Sequence, residues 1–165
     1  MMDPAQADAE KSLLVRRLDA ARRDTLAVLE GADEELIVHA DTGWRVKDVV
    51  AHILVWEEEA LASLLALKEG RRYTIAEFGS FEAYNQRDFE RRYNTPFARL
   101  KTELHDTRER LKVALLALPP ERFEGLMLFP WPSSGTLGLM MEIMAAHERE
   151  HAEAIRQAVE RAGTE

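Results

Sequence analysis

The stretch that decides the fold is VKDVVAHILVWEEEALASLLALKE, residues 46–69. Its apolar side chains recur every three or four residues, which is the spacing of one face of an α-helix. Asp48 lies in the first turn, where the helix dipole favours an anion, and Gly70 follows as a helix-ending residue. The segment therefore predicts an amphipathic helix that buries one stripe of side chains: Val49, Ile53, Trp56, Ala60, Leu64 and Leu67.

Three more segments show the same periodicity: residues 5–30, 81–118 and 137–162. Pro96 is expected to kink or restart the third helix, because a proline cannot donate the interior helical hydrogen bond. In the first segment, Arg22 and its neighbouring arginines are expected largely off the apolar stripe. No segment sustains the alternation of a strand. The sequence predicts an all-α protein of one domain, residues 1–165, in which four apolar stripes meet in a four-helix bundle.

Two connections bear on the topology. The linker 70–80 has 11 residues and reaches at most about 36 to 40 Å when extended, while the preceding helix is about 36 Å long. A crossover along the whole bundle and an ordinary antiparallel turn are therefore both open. The loop 119–135 carries Phe129 and Trp131 and is apolar enough either to cover one end of the bundle or to join a second copy.

Composition excludes several classes of function. The formal net charge is −8 and no Lys/Arg stripe is present, so we expect no nucleic-acid partner. The N-terminus lacks a signal-peptide pattern and no apolar run is long enough to span a membrane, so we expect a cytoplasmic protein with no membrane partner. The chain has no cysteine, and a bound metal therefore needs His, Asp or Glu ligands.

The phase of the five histidines separates them into two groups. His52 falls on the apolar stripe of the second helix, and His147 and His151 fall on that of the last. His39 and His105 are expected to be solvated. Side chains at i and i+4 lie about 5 to 6 Å apart at Cβ, so three inward imidazoles can share one divalent ion and leave positions open. A purely structural histidine cluster is the alternative.

Residues 147–151 also spell HEREH, a literal HExxH motif in which zinc proteases use the glutamate as general base. The extended protease motif needs Gly and His where Ala154 and Gln157 stand, and only 14 residues follow His151. We therefore do not favour a protease, and Glu148 is expected to lie beside the site.

Residues 43–57, GWRVKDVVAHILVWE, resemble the GWSVKDxxAHLxxWE opening of the second helix in the DinB/YfiT-like superfamily. This superfamily includes a branch related to colibactin self-protection proteins. The spacing His147-x3-His151-x3-Ile155 resembles its last helix, and the resemblance runs from about Ala9 to Val159. Arg45 departs from the pattern, since the family often has a Ser or Thr cap there.

The resemblance implies a bundle with up-down-down-up connectivity, in which the 70–80 linker is the crossover. It also implies nickel or zinc held by His52, His147 and His151, and frequently a homodimer. Some members are transferases or isomerases that use a low-molecular-weight thiol such as mycothiol, bacillithiol or glutathione.

Two functions remain open from the sequence. The first is a metal-dependent enzyme, a thiol-dependent S-transferase or a hydrolase, whose small-molecule substrate enters near Trp56, Tyr84, Asn85 and the loop 129–131. The second is a non-catalytic small-molecule-binding or stress-response bundle. The sequence identifies no catalytic residue and no thiol pocket.

Overall fold

The structure is a computed structural model that describes residues 2–164. Along the chain the elements are α1 (Pro4–Leu29), β1 (Ile37–His39), β2 (Trp44–Arg45), α2 (Val46–Lys68), α3 (Phe81–Arg92), α4 (Phe97–Leu116), α5 (Pro120–Phe123), β3 (Met127–Leu128), β4 (Ser134–Gly135) and α6 (Leu137–Ala162). The all-α prediction is confirmed. The two antiparallel strand pairs, β1 with β2 and β3 with β4, were not predicted, because strands of two or three residues leave no periodic pattern.

Side-chain caps explain where helices begin. Asp3 accepts a hydrogen bond from the backbone N–H of Ala5 at the start of α1, and Thr136 accepts one from Leu139 at the start of α6. At the start of α2, Asp48 accepts a hydrogen bond from the backbone N–H of Arg45 at 2.9 Å. The acidic first turn of α2 thus binds one backbone N–H at the helix start, where Arg45 has no Ser or Thr hydroxyl to serve as a cap.

The directions of the four long helices follow from their contacts. Lys11 near the start of α1 reaches the carbonyl of Leu118 just beyond the end of α4, so α1 and α4 are antiparallel. Arg17 and Arg22 of α1 pair in that order with Glu142 and Glu148 of α6, so these two helices are parallel. The first half of α2 packs in a cluster with the first half of α4, and the second halves share another. The up-down-down-up connectivity is confirmed.

The third predicted helix, residues 81–118, is two helices, and the restart expected at Pro96 is confirmed. The backbone turns between Tyr93 and Pro96, with a hydrogen bond from Thr95 N–H to the Arg92 carbonyl, and α4 begins after Pro96. Proline lacks the N–H that a continuous helix requires, which is why the chain restarts there. As a result α3 belongs to the crossover.

The helix α3 runs back along α2. The hydroxyl of Tyr84 donates to Glu59 at 2.5 Å, and further along α3 the ring of Phe89 stacks on Trp44, just before α2 begins. The crossover is therefore longer than the 70–80 linker and covers one side of α2. This explains why α2 is buried on more than one face.

The loop 119–135 folds onto its own bundle. The exposed fraction of Phe129 is 1% and its ring lies 5.2 Å from that of Trp131. Trp131 in turn contacts Trp56 of α2 at 5.8 Å between ring centroids. Leu126 is 80% exposed and Leu128 is also exposed, so only this part of the loop presents an apolar surface. No helix within residues 2–164 is long and apolar enough to span a membrane.

A buried ion cluster joins the four long helices. It consists of one charged residue from each, namely Arg22 (α1), Glu57 (α2), Arg108 (α4) and Glu148 (α6), and we call it the four-helix ion cluster. Each guanidinium contacts both carboxylates, and all four side chains are at most 9% exposed. The expectation that Arg22 lies off the buried stripe is wrong. The apolar pattern of one helix carries no information about a buried charge whose partners lie on other helices.

The remaining donors of the arginines bind backbone. Arg22 donates to the carbonyl of Leu104 at 2.9 Å, and Arg108 donates to that of Leu18 at 2.6 Å. Burial raises the pKa of Glu148, but the adjacent Arg108 and Arg22 outweigh burial and hold that pKa below its ordinary value. The cluster is neutral overall and hydrogen-bonded, which is the condition under which charges are tolerated inside a protein.

We predict that Arg108→Met lowers the free energy of unfolding by about 3 to 5 kcal/mol, because it leaves two buried carboxylates with one arginine. The double variant Arg108→Met/Glu57→Leu restores neutrality and should cost much less than the sum of its two single variants. Urea denaturation of the single and double variants measures both effects. If the loss of unfolding free energy in the double variant equalled the sum of the losses in the two single variants, the interaction between Arg108 and Glu57 would be contradicted.

Candidate metal centre

Three histidines from two helices meet beside the four-helix ion cluster. His52 lies in the second turn of α2, and His147 and His151 lie one turn apart on α6. The Nε2 atom of His147 is 2.9 Å from that of His52 and 3.0 Å from that of His151. One ligand atom from each residue lies within 4.8 Å of the others. The structure thus brings together the three residues singled out from the sequence.

Hydrogen bonding alone does not account well for this geometry. A ring nitrogen carries either one hydrogen or one in-plane lone pair. The Nε2 atom of His147 therefore cannot form two good hydrogen bonds, one to each neighbour. Three nitrogens that bind one ion tetrahedrally at about 2.0 to 2.1 Å lie about 3.3 Å from one another. The chemistry and spacing of the three donors fit one divalent cation.

Burial keeps these imidazoles neutral. Burial first, and then the neighbouring histidines, lowers the pKa of His52 to about 2 and that of His151 to about 3. Burial also lowers the pKa of His147 to about 4, opposed by Glu148. Neutral imidazole is the form that binds a metal. The three side chains are therefore in their ligating form over a wide range of pH.

The other two histidines differ from each other. His105 is exposed, as expected. His39 is less solvated than expected, because its side chain is half-buried on β1 and its ring lies 6.4 Å from the rings of both Trp44 and His151. The β1–β2 pair places His39 there, and a strand of three residues carries no signal in the sequence. His39 borders the three histidines without joining their ligand atoms.

Glu148 does not serve the histidine cluster. Its Oε1 accepts from Arg22 at 2.6 Å and its Oε2 accepts from Arg108 at 2.5 Å. Glu148 therefore lies next to the histidines, as expected, but both of its oxygens are engaged in the four-helix ion cluster. The protease interpretation of HEREH loses its general base for the same reason.

A cavity of about 220 Å³ adjoins the histidine cluster, and His52 and His147 form part of its wall. The other lining residues are Trp56, Phe81, Asn85, Trp131, Ile143 and Met144. Of the entry residues expected from the sequence, Trp56, Asn85 and Trp131 line this cavity. Phe129 is in the core instead, and the hydroxyl of Tyr84 is held by Glu59.

Sequence reasoning missed three of these lining residues. Ile143 precedes His147 by four positions and so shares its helix face, which is a signal that could have been used. Met144 lies on the buried face of α6, so helical periodicity alone predicts core packing for it rather than a position in a cavity wall. Phe81 reaches the cavity only because α3 folds back along α2, and no local pattern indicates that contact.

Asn85 has a defined orientation in this cavity. Its Oδ1 accepts a hydrogen bond from the indole Nε1 of Trp56 at 3.0 Å, and its amide hydrogens form no hydrogen bond within the described part of the chain. The remaining wall is mainly aromatic and aliphatic. The cavity therefore suits an apolar group that carries one hydrogen-bond acceptor.

We predict that the metal-free protein loses stability as the pH falls from about 6.5 towards 4. In the unfolded chain, histidines gain protons once the pH falls below about 6.5. In the folded protein His147 stays neutral until the pH reaches about 4, and His52 and His151 stay neutral to a lower pH still. The loss is up to about 1.4 kcal/mol per pH unit for each ring. Urea denaturation in chelator over this pH range measures it. His52→Asn should reduce the slope and His105→Ala should not, and equal slopes in all three proteins would contradict the prediction.

Comparison with known proteins places the chain in a family. The chain matches the sequence model of the DinB superfamily over residues 17–155. A search of curated proteins gives no match. The fold is similar to the crystal structure of an uncharacterised protein from Escherichia coli UTI89, with a TM-score of 0.75, 15% identity, and coverage of 93% of this chain and 94% of that one. At this identity the structural likeness concerns the fold alone. Because the family match spans most of the sequence, including all three histidines of the cluster, the chain belongs to the DinB superfamily.

Proposed function

We propose that the protein is a metal-dependent enzyme that acts on a small molecule with an apolar group. The observation that carries the proposal is the convergence of three neutral imidazoles, two of which line the cavity that Trp56 and Trp131 also line. Members of the DinB superfamily often bind a divalent metal, which agrees with this donor set. His52, His147 and His151 are the ligands we propose.

The metal we propose is nickel or zinc. Both accept imidazole nitrogen, and the three ligands offer no carboxylate or thiolate that would favour another class of ion. When bound by three protein ligands, such an ion keeps open positions and increases the acidity of a water or thiol bound there.

The chain's own residues bind and orient the substrate. Trp56 and Trp131 cover an apolar group and exclude water from the cavity, while Asn85 donates to an acceptor on the substrate. The chain has no cysteine, so any thiol that takes part comes from a small molecule. We therefore propose a thiol-dependent S-transferase as the first reaction class, with hydrolysis as the second.

One observation favours a non-catalytic binding protein as the alternative. No carboxylate lines the cavity within the described part of the chain, and the adjacent Glu148 is bound by two arginines. A protein with these features could sequester an apolar molecule without reacting with it. Turnover assays with metal-loaded protein, electrophilic acceptors and a panel of thiols separate the two functions, with His52→Ala as the matched inactive control. Saturable ligand binding without turnover by any thiol or water would support the alternative.

We predict that the purified protein, prepared without a histidine tag, binds one equivalent of nickel or zinc. His52→Ala, His147→Ala and His151→Ala should each weaken binding by roughly 100-fold or more, since changes merely behind a ligand already cost 10- to 100-fold. Elemental analysis and competition titration measure this. His105→Ala should leave the affinity unchanged, and His39→Ala should keep the stoichiometry. Full stoichiometric metal with unaltered affinity in His52→Ala would contradict the proposed ligand set.

We also propose that the protein forms a homodimer, as the family resemblance implies. Phe129 and Trp131 pack on their own bundle. Leu126 and Leu128 are therefore the side chains of this loop that form an exposed apolar surface for a second copy. Sedimentation equilibrium at micromolar concentration should show a dimer, and Leu126→Glu/Leu128→Glu should shift it to monomer. A wild-type protein that is only monomeric would remove this proposal.

A further inference from the structure

A second cavity, of about 300 Å³, lies at the other end of α2 from His52. One wall is the last turns of α2, at Ser63 and Leu67, and another is the start of the crossover, residues 70–73. The 119–135 loop supplies the rest, from Arg122, residues 126–128 and Ser134. The N–H of Ile75 donates to the carbonyl of Pro130 at 2.8 Å, which ties the crossover to the loop. The cavity is therefore formed by elements that are fixed to one another.

Three arginines surround this cavity: Arg71, Arg72 and Arg122. Arg71 pairs with Glu69, which offsets its charge. Within residues 2–164, the guanidinium groups of Arg72 and Arg122 form no ion pair and no side-chain hydrogen bond. In a chain with a formal net charge of −8, two unpaired cations on one small cavity are a local reversal of the prevailing charge. Because both guanidinium groups line the same cavity, an anion bound there would have two cationic partners.

Gly70 leaves room for the guanidinium of Arg122 at the cavity wall. A Cβ at this position would lie 2.7 Å from Nη2 of Arg122, so a larger residue would push the guanidinium away. The φ angle of Gly70 is 72°, which also favours glycine. The end of α2 thus accommodates the guanidinium of Arg122 at the cavity wall.

The rest of the wall has an apolar side. Leu67 lies on α2, and Met127 and Leu128 lie on β3 with the exposed Leu126 beside them. An anion bound by the arginines would have these side chains next to it. The cavity therefore presents a charged part and an apolar part to one ligand, and its volume falls at the lower end of the range for small-molecule sites.

We propose that this cavity binds a small amphiphilic phosphate monoester, with the phosphate between Arg72 and Arg122 and an apolar tail against Leu67 and Met127. Arginine binds phosphate oxygens in a planar, two-pronged geometry that suits this group. A phosphate monoester carries nearly two negative charges at neutral pH, which matches the two unpaired guanidinium groups. The site is separate from the histidine cluster and does not require the proposed metal.

The probe is octyl phosphate, used below its micelle-forming concentration and titrated by calorimetry. We expect saturable binding of one equivalent, with inorganic phosphate binding more weakly because it lacks the tail. Arg72→Gln/Arg122→Gln should weaken octyl phosphate at least 10-fold. The matched control Arg16→Gln/Arg161→Gln makes the same charge change at two exposed positions outside the cavity and should retain wild-type affinity, as should His52→Ala.

A second measurement does not depend on any variant. The affinity of the wild-type protein for octyl phosphate should fall as sodium chloride is raised, because the contact is between exposed charges. The same phosphate chemistry also occurs in lipid headgroups, and flotation with vesicles of phosphatidylcholine and phosphatidic acid distinguishes that source. We expect the protein to stay unbound there, since its net charge is negative. The proposal would be overturned if octyl phosphate showed no saturable binding, or if the protein bound only to the vesicles. It would also be overturned if neither Arg72→Gln/Arg122→Gln nor added salt changed the affinity for octyl phosphate.

Discussion

The buried contact among Arg22, Glu57, Arg108 and Glu148 is the constraint on which the rest of the structure depends. Each long helix contributes one charge, and a carboxylate or guanidinium left without its partners inside the bundle would be strongly destabilising. The cluster therefore sets the relative rotation and height of all four helices at one level. Apolar packing alone tolerates small shifts, whereas directional contacts between charges do not.

The histidine cluster depends on this constraint through its sequence neighbours. Glu148 directly follows His147, and Glu57 directly follows Trp56. Successive residues on a helix point about 100° apart. Once the glutamates are held by the arginines, the side chains before them are directed to the adjacent side of α2 and α6. The convergence of His52 with His147 and His151, and the position of Trp56 in the cavity wall, follow from that rotation.

The segments between the helices give the molecule its two different cavities. The crossover brings Phe81 and Asn85 to the cavity near the histidines, and its first residues bring Arg71 and Arg72 to the opposite end of α2. The loop 119–135 contributes to both, with Trp131 at one and Arg122 at the other. One cavity is mainly apolar beside neutral imidazoles, and the other combines arginines with leucine and methionine. Two ligands of different charge are therefore compatible with one small bundle.

The sequence by itself determined the helical class, the four long helices and the inward phase of His52, His147 and His151, because each is a periodic property of a single helix. Through Pro96 it also indicated a kink or restart within residues 81–118, but it did not determine which of the two occurs or that the first of the resulting helices folds back along α2. It placed Arg22 off the core, and it placed Glu148 beside the histidines without indicating that both residues belong to one buried ion cluster. Only the tertiary structure decided these points, because the stability of a buried charge and the path of a crossover depend on partners far away in the chain, and local periodicity carries no information about them.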